Sequence, residues 1–355
     1  MKYFDLLSMK ENKKWTTLLW ELPNDQQDIY TTPEYYRLYE EMGDGKALCF
    51  AFKKNGYVAL YPFLINAVNN SKYNLDKIYY DIQGAYGYNG VISSTYDTEF
   101  INEFYFEFNQ WCKEMNIVAE FTRMNPYLKN HNFSKDYLEL ILNRKTVVLD
   151  LNNSIENIWQ NYISSKTRNM VRKALKNKNS VVIDNSLQGA THFYKMYKDN
   201  MIRIEADPYY LFKEDMFLNM LKNSQFNFLF VEDEFNNRIA TMILVVYKRY
   251  AHYYLSGRDI FKANNSVNSF LLYEAIKIAR ERGAEIFHFG GGNSLDENDP
   301  LFKFKKGFSR SYLDFFIGKK IHNKIIYDVI RKQWKKNHPA SYFKNKDMIL
   351  GYRKI

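Results

Sequence analysis

The stretch "NSFLLYEAIKIARERGAEIFHFGGG", Asn268 to Gly292, reads as a helix, a break, a strand and a breaker. Phe270, Leu271, Leu272, Ala275, Ile276 and Ala279 recur at helical spacing and share one face. Lys277, Arg280 and Glu281 lie elsewhere on the wheel, which is the pattern of a surface helix laid on a sheet. Ser266 or Ser269 is placed to cap its start and Gly283 to end it. In the strand that follows, Ile286 and His288 point one way and Phe287 and Phe289 the other. The order recurs upstream in "TEFINEFYFEFNQWCKEMNIVAEFTRMNP", Thr98 to Pro126.

Two further stretches also share a grammar. "FAFKKNGYVALYPFLI" (Phe50 to Ile65) and "FLFVEDEFNNRIATMILVV" (Phe228 to Val246) each read strand, polar turn, strand. Asn55-Gly56 and Asn236-Asn237 supply residues that tolerate positive φ in such turns. A hairpin followed by a helix and a strand, met twice, predicts an α/β (α+β) protein of two tandem units. Each is expected to be a mixed sheet flanked by helices, over residues 1–150 and 151–318, with a helical tail over 319–355.

The bulk numbers fit this reading. With 355 residues, 30 Tyr and 27 Phe, the chain has enough apolar area for two packed cores. Its net charge of +10 favours an anionic partner. Cys49 and Cys112 are the two cysteines and sit in separate segments, so neither a disulfide framework nor a Cys-based zinc site is expected. The start, "MKYFDLLSMKENKKW", lacks the features of a signal peptide, and no long apolar run follows, so a cytoplasmic chain without a transmembrane segment is expected.

Four segments are candidates for chemistry. Gly290, Gly291 and Gly292 end a strand, where a backbone free of Cβ atoms can approach a ligand or adopt positive φ. "LFKFKKGFS" (Leu301 to Ser309) alternates aromatics with lysines; as a strand it would carry Lys303 and Lys305 on one face, able to hold phosphate or an oxyanion. "SSKTRNMVRKALKNKN" (Ser164 to Asn179) is a basic amphipathic helix with Lys166, Arg168, Arg172, Lys173 and Lys176 on one arc and Met170, Val171, Ala174 and Leu175 opposite. "YYDIQGAYGYNGVIS" (Tyr79 to Ser93) is a glycine-bent loop in which Tyr86 and Tyr88 could wall a cleft. A solvated charged face or a structural loop explains each of these patterns equally simply. Walker A, G-x-S-x-G, H-E-x-x-H and Rossmann signatures are missing.

Taken in order, "GAYGYNG", "ISSKTRNMVRKALKN", "SVNSFLLYEAIKIARERGAEIFHFGGG" and "DPLFKFKKGFS" resemble the FemAB-type transferases and their relatives with a BioF2-like acetyltransferase domain. The resemblance spans most of residues 30–318 and implies two GNAT-like domains in tandem. It also implies transfer of an acyl or aminoacyl group to an amine: FemAB enzymes move amino acids from aminoacyl-tRNA to the peptide of a peptidoglycan precursor, and relatives with the GNAT fold use acyl-CoA. The family's active-site Phe-Lys pair falls on Phe304 and Lys305, and Arg168 and Arg172 become candidates for meeting phosphate. His288, Glu120 and Asp299 are candidate bases. No bound cofactor or metal is expected. The partners expected are a phosphate-bearing donor, acyl-CoA or aminoacyl-tRNA, and an envelope or sugar precursor, with peripheral membrane contact as a further option. One departure stands out: "KANNSVNSFLLYEA" has no glycine where acetyl-CoA-binding GNAT domains place a glycine-rich pyrophosphate loop. The competing expectation is a non-catalytic basic module that holds RNA or an anionic membrane surface.

Overall fold

The computed structural model describes residues 3–68, 73–264 and 266–355. In chain order the elements are β1 (Phe4–Ser8), α1 (Asn12–Trp20), α2 (Pro33–Glu41), β2 (Lys46–Lys54), β3 (Tyr57–Ala67), β4 (Tyr80–Gln83), β5 (Ile92–Ser93), α3 (Thr98–Glu114) and β6 (Ile117–Arg123). There follow β7 (Glu139–Asp150), the single turn α4 (Ile155–Asn157), α5 (Ser165–Lys176), β8 (Ser180–Ile183), α6 (Leu187–Arg203), α7 (Glu214–Met220), β9 (Phe226–Glu232) and β10 (Arg238–Tyr247). The last are β11 (Tyr250–Arg258), α8 (Ser266–Glu281), β12 (Ile286–Gly291), α9 (Pro300–Lys306), β13 (Ser311–Ile321), α10 (Lys324–Asn337) and α11 (Pro339–Asn345). They form two compact units, Met1–Asn143 with Phe315–Ile355, and Arg144–Asp314.

In the first unit the strand order is β1-β2-β3-β4-β6-β13, with β5 on β3. Among the described residues the β4/β6 strands pair in parallel, since α3 crosses over between them. The β2/β3 turn is the expected hairpin: Asn55 and Gly56 both take positive φ, +53° and +82°. Phe100, Phe104, Phe108 and Trp111 from α3 bury against Phe50, Phe52, Tyr61 and Phe63 of that hairpin. Residues 319–355, read from the sequence as a tail, are part of this unit. Trp334 and Ile330 of α10 bury with Val118 and Tyr352, and Arg353 pairs with the buried Asp81.

The second unit repeats the plan with the order β7-β12-β11-β10-β9-β8. Among the described residues its parallel pair is β11/β12, joined by α8. Asn236 at the β9/β10 turn has φ +62°. Phe270, Leu271, Leu272, Ala275, Ile276 and Ala279 of α8 bury together with Val171 and Ala174 of α5, as the helical wheel predicts. Gly283, with φ +83°, follows the end of α8. The fold is thus the mixed α/β architecture expected, built twice on one scheme. The sequence reading did not place the strands that complete each sheet, among them β13, which lies beside β6, and β7, beside β12.

The segment Leu301–Ser309 departs from expectation. It is not an alternating strand but a helix, α9, followed by Gly307. Asp299 caps it, its side chain accepting from Phe302 N, and Pro300 occupies the first turn, a start signal stronger than a short aromatic-lysine alternation. Residues i and i+2 of a helix stand about 200° apart around its axis. Lys303 therefore faces solvent while Lys305 turns inward.

Candidate active site

Strands β11 and β12 pair over three positions, Tyr250/Ile286, Ala251/Phe287 and His252/His288. Beyond them each strand is disrupted on its other side. The β10/β11 register shifts between Met242/Ser256 and Leu244/Tyr253, and the β12/β7 register shifts between His288/Val148 and Gly290/Val147. Bulges re-aim a strand and end its pairing. Here they do so at the carboxyl ends of a parallel pair, the place where α/β sheets hold ligands.

The three glycines follow the bulge, and each leaves room for a side chain of the same unit. A Cβ on Gly290 (φ +77°) would stand 3.2 Å from Lys305 Nζ. On Gly291 it would meet Arg144 Cδ and Lys145 O at 2.8 Å, and on Gly292 it would meet Asp299 Oδ1 at 2.5 Å. The glycines thus admit Lys305, Arg144 and Asp299 to the strand's backbone. Lys305 Nζ donates to Gly291 O at 2.6 Å, and Arg144 donates to Gly292 O at 2.5 Å. Asp299 Oδ2 accepts from Asn293 N at 2.9 Å while its other oxygen caps α9.

Electrostatically, Lys305 is the unusual group. It is 6% exposed, and its ammonium also stands 5.7 Å from the Tyr253 ring. Burial disfavours the charged form and Arg144 adds repulsion, which Asp299 offsets in part; the pKa falls from 10.5 to about 7. Near neutrality the amine therefore exchanges between two protonation states. Asp299 is a poor base. Burial raises its pKa, but the N–H groups of Phe302, Asn293 and Leu301 and the nearby Arg144 outweigh that and hold it below the ordinary value. His288 is buried, 6.0 Å from the His252 ring. Burial, then His252, then Lys305 push its pKa well below the usual histidine value, so it is a neutral imidazole.

Of the residues singled out in the sequence, Lys305, His288 and the three glycines come together in this unit. Phe304 sits on the adjoining turn, packed against the core and edge-on to Phe308. Helix α5 reaches the same region by its N-terminus: Ser164 caps it, Ser164 N donates to Gly307 O at 2.8 Å, and a Cβ on Gly307 would meet Thr167 Oγ1 at 2.3 Å. Arg168 is turned toward the backbone, giving one guanidinium nitrogen to the carbonyls of Trp159, Gln160 and Ile163. Arg172 is exposed and lies over the Trp159 ring at 5.4 Å. Leu175, placed on the apolar arc, is half exposed. Tyr86 and Tyr88 belong to the first unit; Tyr86 O accepts from Tyr35, and Tyr88 packs edge-on against Tyr30 and Phe315. Glu120 also lies in that unit, fully buried beside His322.

Arg144 and Tyr253 escaped the sequence reading. Each is an ordinary residue within a strand pattern, and only the β7-β12-β11 order sets both beside Lys305. The triple glycine was the available signal, because three missing side chains imply that something fills their place.

Residues 165–306 match the family described as acetyltransferase (GNAT) domain. Comparison with curated proteins by sequence gives no match. Among solved structures the chain is similar to FemX, at 14% identity and TM-score 0.69, covering 92% of this chain and 99% of that one. It is similar to the C-terminal domain of a protein from Agrobacterium fabrum named as a lysylphosphatidylglycerol synthetase, at 14% identity, TM-score 0.57 and coverage of 90% and 93%. A tandem GNAT protein from the clavulanic acid biosynthesis pathway matches at 6% identity, TM-score 0.52 and coverage of 90% and 98%. Among the described residues no helix is long and apolar enough to cross a membrane. Residues 165–306 are thus a domain of the acetyltransferase (GNAT) type, and the chain shares its fold with FemX and with a tandem GNAT protein.

Proposed function

We propose that the protein transfers an acyl or aminoacyl group from a phosphate-bearing donor to an amine of a cell-envelope precursor or polysaccharide amino sugar. The observation that carries this reading is the Lys305 ammonium, buried at the carboxyl end of the parallel β11/β12 pair. The donor carbonyl lodges where the pairing stops. A neutral amine attacks it, and the developing oxyanion is met by Lys305, which gives up its bond to Gly291 O, and by backbone N–H groups of the bulged strands. The C–N bond forms, the C–S or C–O bond of the donor breaks, and the proton shed by the amine leaves with the thiol or hydroxyl. His288 is neutral and buried, and Asp299 already accepts two backbone N–H bonds, so neither is assigned the base.

The glycine-free entry to α8 removes the usual pyrophosphate cradle and supports an aminoacyl-tRNA donor over acyl-CoA. Lys166, Arg172, Lys173 and Lys176, exposed on α5, supply the charge for a phosphate backbone. The test is incubation with labelled acyl-CoA and, separately, charged tRNA over a panel of amine acceptors, with product masses measured. Lys305→Ala should lose on the order of a hundredfold in kcat/KM. Full turnover in that variant removes Lys305 from the site. Absence of product from both donors on every acceptor defeats the reading.

A further inference from the structure

The first unit buries three metal-ligating side chains against one another, two from neighbouring elements and one from about 200 residues further along the chain. Cys112 lies in the last turn of α3, Glu120 on β6, and His322 just after β13. One ligand atom from each falls within 4.8 Å of the others. Strand pairing brings this about: Glu120 is opposite Lys320 in the β6/β13 register, so His322, two residues on, is its diagonal neighbour on the same face. Helix α3 packs on that face and adds the thiol.

The cluster is enclosed. Cys112 and Glu120 have no exposed surface, and the His322 side chain is 7% exposed. His322 Nε2 is 3.1 Å from Glu120 Oε2, while Glu120 Oε1 is buried with no hydrogen-bond partner. Leaving a carboxylate oxygen unpaired in an apolar interior costs several kcal/mol. The surrounding polar groups are committed elsewhere: Tyr61 to Thr122 at 2.7 Å, Tyr105 to Ser134 at 2.7 Å and Lys320 to Asn109 at 2.8 Å. A thiol, an imidazole and a carboxylate with one unpartnered oxygen, gathered this closely, are a donor set for a divalent cation.

We propose that Cys112, Glu120 and His322 bind a borderline-soft divalent cation, zinc above all, with a water as fourth ligand. Sulfur, nitrogen and oxygen donors together select zinc over calcium or magnesium, which take oxygen alone. Bond lengths of about 2.0–2.3 Å in a tetrahedron put ligands on the order of 3.5 Å apart, inside the observed spread. Binding replaces the thiol proton with the metal and satisfies Glu120 Oε1. The ion ties α3 and β6 to the segment that returns from the far end of the chain, adding to the β6/β13 pairing and to the bonds that His322 N and Asn323 N donate to Val118 O. Its role is structural, independent of the acyl-transfer reading.

The full chain, purified without a metal-affinity tag, is stripped of metal and titrated with Zn²⁺ and Co²⁺. One equivalent should bind, Co²⁺ should give a thiolate charge-transfer band, and Zn²⁺ should raise the melting temperature by several degrees. Cys112→Ser should lose the band, and Cys112→Ser and Glu120→Gln should each weaken binding by more than the roughly 10–100-fold that an outer-shell partner is worth. A folded wild type that takes up neither ion, with an unmoved melting temperature, overturns the proposal even if a variant fails to fold. So does a Cys112→Ser protein that binds as wild type does.

Discussion

Replacing Lys305 with methionine, of similar length and without charge, should stabilise the protein, and by an amount that depends on pH. A fall in pKa from 10.5 unfolded to about 7 folded makes the buried ammonium unfavourable by roughly 4–5 kcal/mol relative to the free amine. The folded state binds fewer protons than the unfolded chain between those values, so wild-type stability rises as pH climbs from 7 toward 10.5, and the full penalty is present below 7. Methionine removes the penalty and forfeits the bond to Gly291 O, worth about 1 kcal/mol. The advantage of Lys305→Met over wild type should therefore shrink by about 3 kcal/mol between pH 6.5 and 9.5. Urea unfolding of both proteins at the two pH values measures it, since every other titrating group is common to both and cancels. A difference that stays constant with pH would refute the assignment of Lys305 as a buried, neutral-poised amine.

Three other outcomes are expected. If the ammonium is the acting form, kcat/KM should decline as pH rises through about 7, and Lys305→Arg should flatten that limb whatever its absolute rate. Gly290→Ala places a Cβ at φ +77° and 3.2 Å from Lys305 Nζ; a loss of about 1–2 kcal/mol by thermal unfolding and a displaced, less active Lys305 should accompany each other. Arg168→Met should cost about 2–3 kcal/mol, because three carbonyls lose one donor, whereas Arg172→Ala should leave stability within about 0.5 kcal/mol and instead weaken donor binding in a salt-dependent way.

The two hairpins and the two helix-strand pairs were legible because their signals are local. Asn55-Gly56 and Asn236 are needed where φ must be positive, and the apolar positions of α8 recur at the period of its own backbone. The segment around Lys305 misled for the same reason. Phe302, Lys303, Phe304 and Lys305 alternate like a strand over too short a window, while the Asp299-Pro300 pair that starts a helix stood just upstream. Arg168 shows a different limit: its place on a basic arc was visible, but the three carbonyls it meets come from a preceding turn that no wheel represents.

From sequence alone follow the doubled α/β plan, the core face of α8 and the concentration of interest at Gly290–Gly292 and Lys305, since backbone propensity and apolar periodicity act over a few residues. The tertiary structure alone decided which strands complete each sheet and in what order, the seating of Lys305 against Gly291 beside Arg144 and Asp299, and the meeting of Cys112 with Glu120 and His322. Those depend on strand order and on which group loses its water beside which charge. Both are properties of contacts between residues far apart in the chain, and no local pattern encodes them.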